Sequence, residues 1–161
     1  MVNNKILILG LPGAGKTTLA RLLCERLGAV WFNADEVRMH INKDLGFSQA
    51  DRLEQASRMG WLCDRVTAAG HCAVADFVCP TEATRSAFQA GGPAFVIWVD
   101  RIKAGRFEDT NRVFQSPATY DLRTEDYGSP EYWADLAVVK IRLRTSPDPV
   151  TLDAGYKAAS A

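Results

Sequence analysis

Gly10-Leu11-Pro12-Gly13-Ala14-Gly15-Lys16-Thr17 follows directly on the apolar run Lys5-Ile6-Leu7-Ile8-Leu9. It opens a stretch in which Leu19, Leu22, Leu23 and Leu27 fall at helical spacing before Gly28. The octapeptide satisfies G-x-x-x-x-G-K-[ST] in full, in the strand–loop–helix setting that gives the motif its meaning. Glycines let the main chain turn so tightly that its N–H groups converge on phosphate oxygens. The helix start adds the positive end of its dipole at the same place. Gly10, Gly13, Ala14, Gly15, Lys16, Thr17 and Thr18 are therefore expected to hold a nucleoside triphosphate. Lys16 would reach the β- and γ-phosphates, and the Thr17 hydroxyl would ligate Mg²⁺.

Outward from this loop the chain alternates. After the helix over 16–27, residues 29–32 read as a strand and 35–41 as a helix. Ser48 caps a long helix to about Ala69, with the stripe Leu53, Ala56, Met59, Cys63, Val66 and Ala69 in steps of three and four. Residues 72–75 form a third strand ending at Asp76, Thr81 caps a helix over 82–90, and 94–99 form a fourth strand. Residues 101–134 are polar, carry Pro117, Gly128 and Pro130, and read as irregular and lid-like. Residues 136–143 read as a fifth strand, and 146–161 as a tail with a weak helix from 150. Alternating strands and helices imply right-handed crossovers and a three-layer α/β domain: a five-stranded parallel sheet of the P-loop NTPase kind, with helices on both faces.

The 161 residues fit one domain, and 47% hydrophobic with 24% charged residues is the composition of a globular protein, not a disordered one. Lys+Arg and Asp+Glu are each 19, so no overall positive field drives nucleic-acid or membrane binding. A nucleic-acid substrate is thus not favoured. No apolar run approaches the roughly 20 residues of a membrane span, and the first apolar stretch is too short for a signal-peptide core. Cys24, Cys63, Cys72 and Cys79 contain no C-x-x-C pair, and only His40 and His71 could join them, which argues against zinc and for a reduced, cytoplasmic setting. Cys24 and Cys63 read as buried thiols.

A triphosphate loop does not say where the phosphate goes. In open α/β sheets ligands sit beyond the carboxyl ends of the strands. Asp35, in Asn33-Ala34-Asp35-Glu36-Val37-Arg38, is thereby expected on the acceptor side of the γ-phosphate, as proton acceptor or as holder of a metal-bound water. The alternative is a helix N-terminus whose acids complement the dipole. Arg38 shares a helix face with Asp35 and could grip an anion. Arg52 and Gln55 lie one turn apart on the long helix, opposite Leu53, with Arg58 beyond; a solvated face is the competing reading. Phe47, before the cap, is a hydrophobic staple or a surface for a base. Asp76 is either a capping carboxylate or a Mg²⁺-holding aspartate. Arg106 and Arg112 are the foremost lid candidates for the charge that spreads over a phosphoryl group in flight. The acid-rich stretch 121–135 around Tyr127, Tyr132 and Trp133 reads as surface and leaves a homodimer contact open.

The phosphate loop together with Asp35-Glu36-Val37-Arg38, Asp44-Leu45-Gly46-Phe47-Ser48-x-x-Asp51-Arg52-x-Glu54 and Phe77-Val78-Cys79-Pro80 resembles the adenylylsulfate kinase family over residues 5 to about 100. The resemblance implies ATP as co-substrate with Mg²⁺, and a small nucleotide acceptor: the 3′-hydroxyl of adenosine 5′-phosphosulfate is phosphorylated to give PAPS. It implies that Asp35 is the acceptor-side aspartate and that Arg38 and Arg52 contact the charged end or ribose of the substrate. Phe47 would stack on its adenine, and Phe77, Val78 and Cys79 would line its pocket. The sequence departs from the family at identifiable places. D-G-D-N reads Asn33-Ala34-Asp35-Glu36, E-N reads Glu54-Gln55, and F-I-S-P reads Phe77-Val78-Cys79-Pro80. Asp76 stands where the family has a small polar residue, and K-G-L-Y after the fourth strand is missing. Two alternatives follow: a related kinase acting on another hydroxyl (nucleoside, polynucleotide end or modified nucleotide), and a nucleotide-binding switch without phosphotransfer.

Overall fold

The computed structural model describes residues 4–145; the predicted tail from 146 lies outside the described residues. Lys5–Leu9 (β1), Val30–Asn33 (β2), Ala73–Phe77 (β3), Phe95–Val99 (β4) and Leu122–Thr124 (β5) form one parallel sheet in the order β2-β3-β1-β4-β5. The helices are Lys16–Leu27 (α1), Ala34–His40 (α2), Gln49–Ala68 (α3), Glu82–Phe88 (α4), Glu108–Val113 (α5) and Pro130–Thr145 (α6).

Each residue of β1 is buried, because side chains alternate between two covered faces. Ile6 and Ile8 pack with Leu19 and Leu23 of α1 and with Trp133 and Ile141 of α6. Leu7 and Leu9 pack on the opposite face with Met59 and Cys63 of α3 and Phe88 of α4. Each such side chain contributes about 1.5–3 kcal/mol by leaving water. Lys5 enters this interior only because its ammonium meets Asp64 at 2.8 Å and the Phe88 carbonyl at 2.6 Å. The caps on α3 and α4 fall on the expected residues: Ser48 accepts from the Asp51 N–H, and Thr81 and Thr84 form a reciprocal capping box.

Three expectations are corrected. Residues 136–143 are not a strand but the body of α6, whose buried Trp133, Ala134, Ala137, Val138 and Ile141 recur at helical spacing. The fifth strand is Leu122–Thr124, too short at three residues to show an alternating pattern. The 101–134 segment accordingly holds α5, β5 and the start of α6, and Leu122, Thr124, Trp133 and Ala134 within the acid-rich stretch are buried. On α3, Leu53 is exposed while Gln55 is 2% exposed, the reverse of the expected faces. Gln55 is held inside by Asn42, whose amide donates to its Oε1 at 2.7 Å, and it donates in turn to the Ala34 carbonyl at 3.4 Å. The buried amide is thus hydrogen-bonded through both its oxygen and its nitrogen. Cys63 is buried as expected, Cys24 only partly.

Candidate functional site

The parallel topology brings the carboxyl ends of β1, β2 and β3 to one edge, and a cleft of about 440 Å³ opens there. The loop after β1 contributes Gly13, Gly15, Lys16, Thr17 and Thr18. Gly13 and Gly15 have φ of +83° and +102°, values that side-chain-bearing residues adopt only under strain. Ala14 is buried and closes the turn with its N–H on the Leu11 carbonyl at 3.2 Å; Gly10 sits below, against the main chain of Val99. Lys16 donates to the Leu11 carbonyl at 2.8 Å, inside the loop it serves. Burial lowers its pKa to about 8, against the upward pull of Asp76 and Asp35.

Asp35, Arg38, Phe47, Arg52 and Gln55 enter the same cleft from α2, α3 and the loop between them. Asp35 is in the first turn of α2, which Asn33 caps by accepting from the N–H groups of Asp35 and Glu36. Arg38 donates to the Gly46 carbonyl at 2.7 Å and lies over the Phe47 ring at 4.5 Å. Arg52 donates to the Phe47 carbonyl at 3.0 Å, with its guanidinium 5.8 Å from the same ring. Phe47 is therefore no staple: it stays 68% exposed, an aromatic ring with two guanidiniums against it. Burial, and then the like charge of Arg52, depress the pKa of Arg38. Two cations converging on one cleft favour an anionic occupant.

Phe77, Val78, Cys79 and Pro80 line the cleft beyond β3. Cys79 has φ of +44° and is fully buried, and burial pushes its thiol up to about 12, so it is inert as a nucleophile. Arg106, Phe107 and Thr110 reach the cleft from the segment after β4. Arg112 does not: it is exposed and paired with Glu108 at 2.6 Å one helical turn away. The helical geometry of α5, invisible as such in the sequence, turns it outward.

Asp76 is not a solvent-facing strand cap. It is 2% exposed and accepts from three donors: Thr17 Oγ1 at 3.1 Å, Trp31 Nε1 at 2.8 Å and Asn33 Nδ2 at 3.2 Å. Desolvation raises its pKa, and these donors oppose that shift. The Thr17 hydroxyl and the Asp76 and Asp35 carboxylates are hard oxygen donors on one cleft, which fits Mg²⁺ shared with phosphates. Among the described residues no cluster of three or more His, Cys, Asp or Glu forms a metal cage. Sequence reading gave no role to Trp31 or Asn33. Their signal was parity: both point to the side of β2 that faces Asp76. It also missed Asn42, whose amide links Gln55 to Arg58, which in turn grips Asp44 at 2.8 and 2.9 Å.

A parallel sheet, a glycine-rich loop with positive φ, and Lys16 and Thr17 opening α1 define a P-loop nucleotide-binding domain. Residues 3–101 match the family model described as adenylylsulphate kinase. The chain is 31% identical over 143 residues to an adenylyl-sulfate kinase of Yersinia pestis, covering 72% of this chain and 67% of that one. The chain therefore belongs to the adenylylsulphate kinase family. It is also 40% identical over 81 residues to the adenylyl-sulfate kinase of Synechococcus sp. strain JA-3-3Ab, covering 47% of this chain and 46% of that one. It spans 14%, 46% and 16% of the length of three curated relatives, two of them named as bifunctional. The fold is shared with the Mycobacterium tuberculosis APS kinase solved in complex with AMPPNP and APS, at a TM-score of 0.76, 22% identity and coverage of 86% and 98%. No described helix is long and apolar enough to cross a membrane.

Proposed function

We propose that the chain is an ATP-dependent kinase that phosphorylates the 3′-hydroxyl of adenosine 5′-phosphosulfate to give PAPS. One observation carries the reading: a single cleft is lined both by Lys16 and Thr17 of the phosphate loop and by Asp35, Arg38, Phe47 and Arg52. A triphosphate seated on the loop would direct its terminal phosphorus at an acceptor held by the second set.

In this reading the acceptor oxygen attacks the γ-phosphorus, the bond to the β–γ bridging oxygen breaks, and ADP leaves. Asp35 orients the hydroxyl and takes its proton. Lys16 and the N–H groups of the loop stabilise the charge on the transferred group, joined by Arg106 from the segment over the cleft. Arg38 and Arg52 hold the sulfate–phosphate end, and Phe47 stacks on the adenine. Thr17 and Asp76 would hold Mg²⁺, which neutralises charge on the β- and γ-phosphates when bound. Four free cysteines suit a reducing, cytoplasmic compartment.

The test is direct. Purified protein with ATP, Mg²⁺ and adenosine 5′-phosphosulfate should yield ADP and PAPS in equal amounts. ATP consumption only with a different hydroxyl would instead favour the second reading, a kinase of other specificity. That reading draws on Gln55, the counterpart of the family's asparagine, whose amide is already spent on Asn42 and Ala34. No transfer to any acceptor would reject both.

A further inference from the structure

Asn33 and Asp76 are register partners on adjacent parallel strands, and both sit at the edge of the sheet that faces the phosphate loop. The Asn33 amide is fixed in orientation by what surrounds it. Its oxygen accepts from the Asp35 and Glu36 N–H groups at 3.1 and 3.2 Å. Its nitrogen donates to both carboxylate oxygens of Asp76, each at 3.2 Å. Position 33 must therefore accept on one side and donate on the other, across the length of one short side chain. Among the natural side chains an asparagine amide meets that demand. An aspartate at 33 would cap α2 with one oxygen and set the other against a carboxylate that is 2% exposed. A half-buried carboxylate against a buried one at that separation disfavours both being charged without a cation between them.

Asp76 in turn accepts from Thr17 Oγ1 at 3.1 Å, so a residue in the first turn of α1 is oriented by this pair. Positions 33 and 76, at both of which the sequence departs from the pattern it resembles, thus meet in one hydrogen-bonded contact.

We propose that positions 33 and 76 form a one-carboxylate pair: the site accommodates a single acid between the tips of β2 and β3, Asp76 carries it in this chain, and Asn33 is its required neutral partner. Asp76 is then the positioning residue for Thr17 and for the hydrated cation of a bound nucleotide. Its acid can be moved across the strands, but neither doubled nor removed. The role of the cation rests on the kinase reading; the pairing itself does not.

The experiment is a swap cycle on the full chain: Asn33→Asp, Asp76→Asn, and the two combined. Two quantities are read: melting temperature with EDTA, and the gain in ATP affinity on adding Mg²⁺, by calorimetry without acceptor. Asn33→Asp should lower the melting temperature in EDTA. Asp76→Asn should cut the Mg²⁺-dependent gain about tenfold or more, the loss expected for removing a charged hydrogen-bond acceptor. The combined variant should recover both, to within about threefold in affinity. If either single variant fails to fold, a folded double variant still supports the pair, and an unfolded one refutes it. Losses that simply add in the double variant, or an Asn33→Asp protein as stable as the parent, overturn the proposal. Because no acceptor is present, failure to make PAPS counts against the proposed function alone.

Discussion

Gly105 rests against Pro12: a methyl group added at Gly105 would lie 3.0 Å from both the Cδ and the carbonyl oxygen of Pro12. The segment after β4 is thereby seated on the phosphate loop by backbone-to-backbone approach. Asn111 secures it, accepting from the Gly105 N–H at 2.8 Å and donating to the Gly105 carbonyl at 3.1 Å. Gly105→Val should lift the segment and remove Arg106 from the cleft. The expected result is a KM for ATP raised about tenfold with a smaller loss of stability. Unchanged ATP kinetics would show that the seating does not matter for nucleotide binding.

Asp35→Asn keeps the size and the helix position while removing the proton acceptor. If Asp35 works as proposed, turnover should fall by about 10²–10⁴ with ATP affinity changed little. A fall of less than about fivefold would exclude it as the base and leave it as an ordinary first-turn acid.

Phe47→Ala should raise the KM for the adenine-bearing acceptor by about tenfold, since stacking on a base contributes about 1–3 kcal/mol. The ring is exposed, so stability should hardly move. Steady-state kinetics with acceptor and ATP varied separately will tell whether the effect is confined to the acceptor.

Lys16 carries a pKa of about 8 in the folded chain against 10.5 for the free side chain. The folded state thus binds fewer protons between those values, and stability should rise as pH climbs through that window. At pH 7 the partly buried ammonium costs on the order of 3 kcal/mol. Lys16→Met should therefore raise the melting temperature of nucleotide-free protein at pH 7, lose that advantage by pH 10.5, and abolish transfer. A lowered melting temperature at pH 7 would contradict the account.

Arg85 of α4 is 4% exposed and donates to the Cys79, Pro80 and Gln115 carbonyls, tying the cleft segment beyond β3 to the chain after α5. Arg85→Met takes the guanidinium donor from the Cys79 and Gln115 carbonyls, while the Pro80 carbonyl keeps the Gln115 N–H at 2.7 Å, and it removes a buried charge. The net loss should be about 2–4 kcal/mol in urea denaturation, with a raised acceptor KM. A stability change under about 1 kcal/mol would mean that relaxation or water replaces the guanidinium.

Which parts of this could be read from the chain follows from where the physical signal sits. The phosphate loop was legible because its chemistry is local: turn, dipole and lysine all lie within Gly10–Thr17. Ser48 and Thr81 were legible as caps for the same reason. The fate of 136–143 was not, because α6 carries apolar residues on much of its surface, including exposed Val139 and Leu143, and so blurs the helical period. Arg112 was misplaced because the short helix α5, which pairs it with Glu108 one turn back, has no clear period in the sequence; Gln55 reaches the cleft as expected, but its burial depends on Asn42, which no local pattern reveals. The Asn33–Asp76 contact joins residues 43 positions apart, and only strand register reveals it.

The sheet order has a consequence for how the molecule comes into being. The central strand at Lys5–Leu9 pairs with Ala73–Phe77 on one side and Phe95–Val99 on the other, and with nothing nearer in the chain. Each pairing closes a long loop before it is rewarded, which makes such topologies slow to assemble. A growing chain must thus emerge to about residue 77 before the strand Lys5–Leu9 has any neighbour, and to about residue 99 before it has both. Until then the apolar run Ile6–Leu9 that leads into the glycine turn is left without its sheet partners and open to whatever else in the cell will cover it.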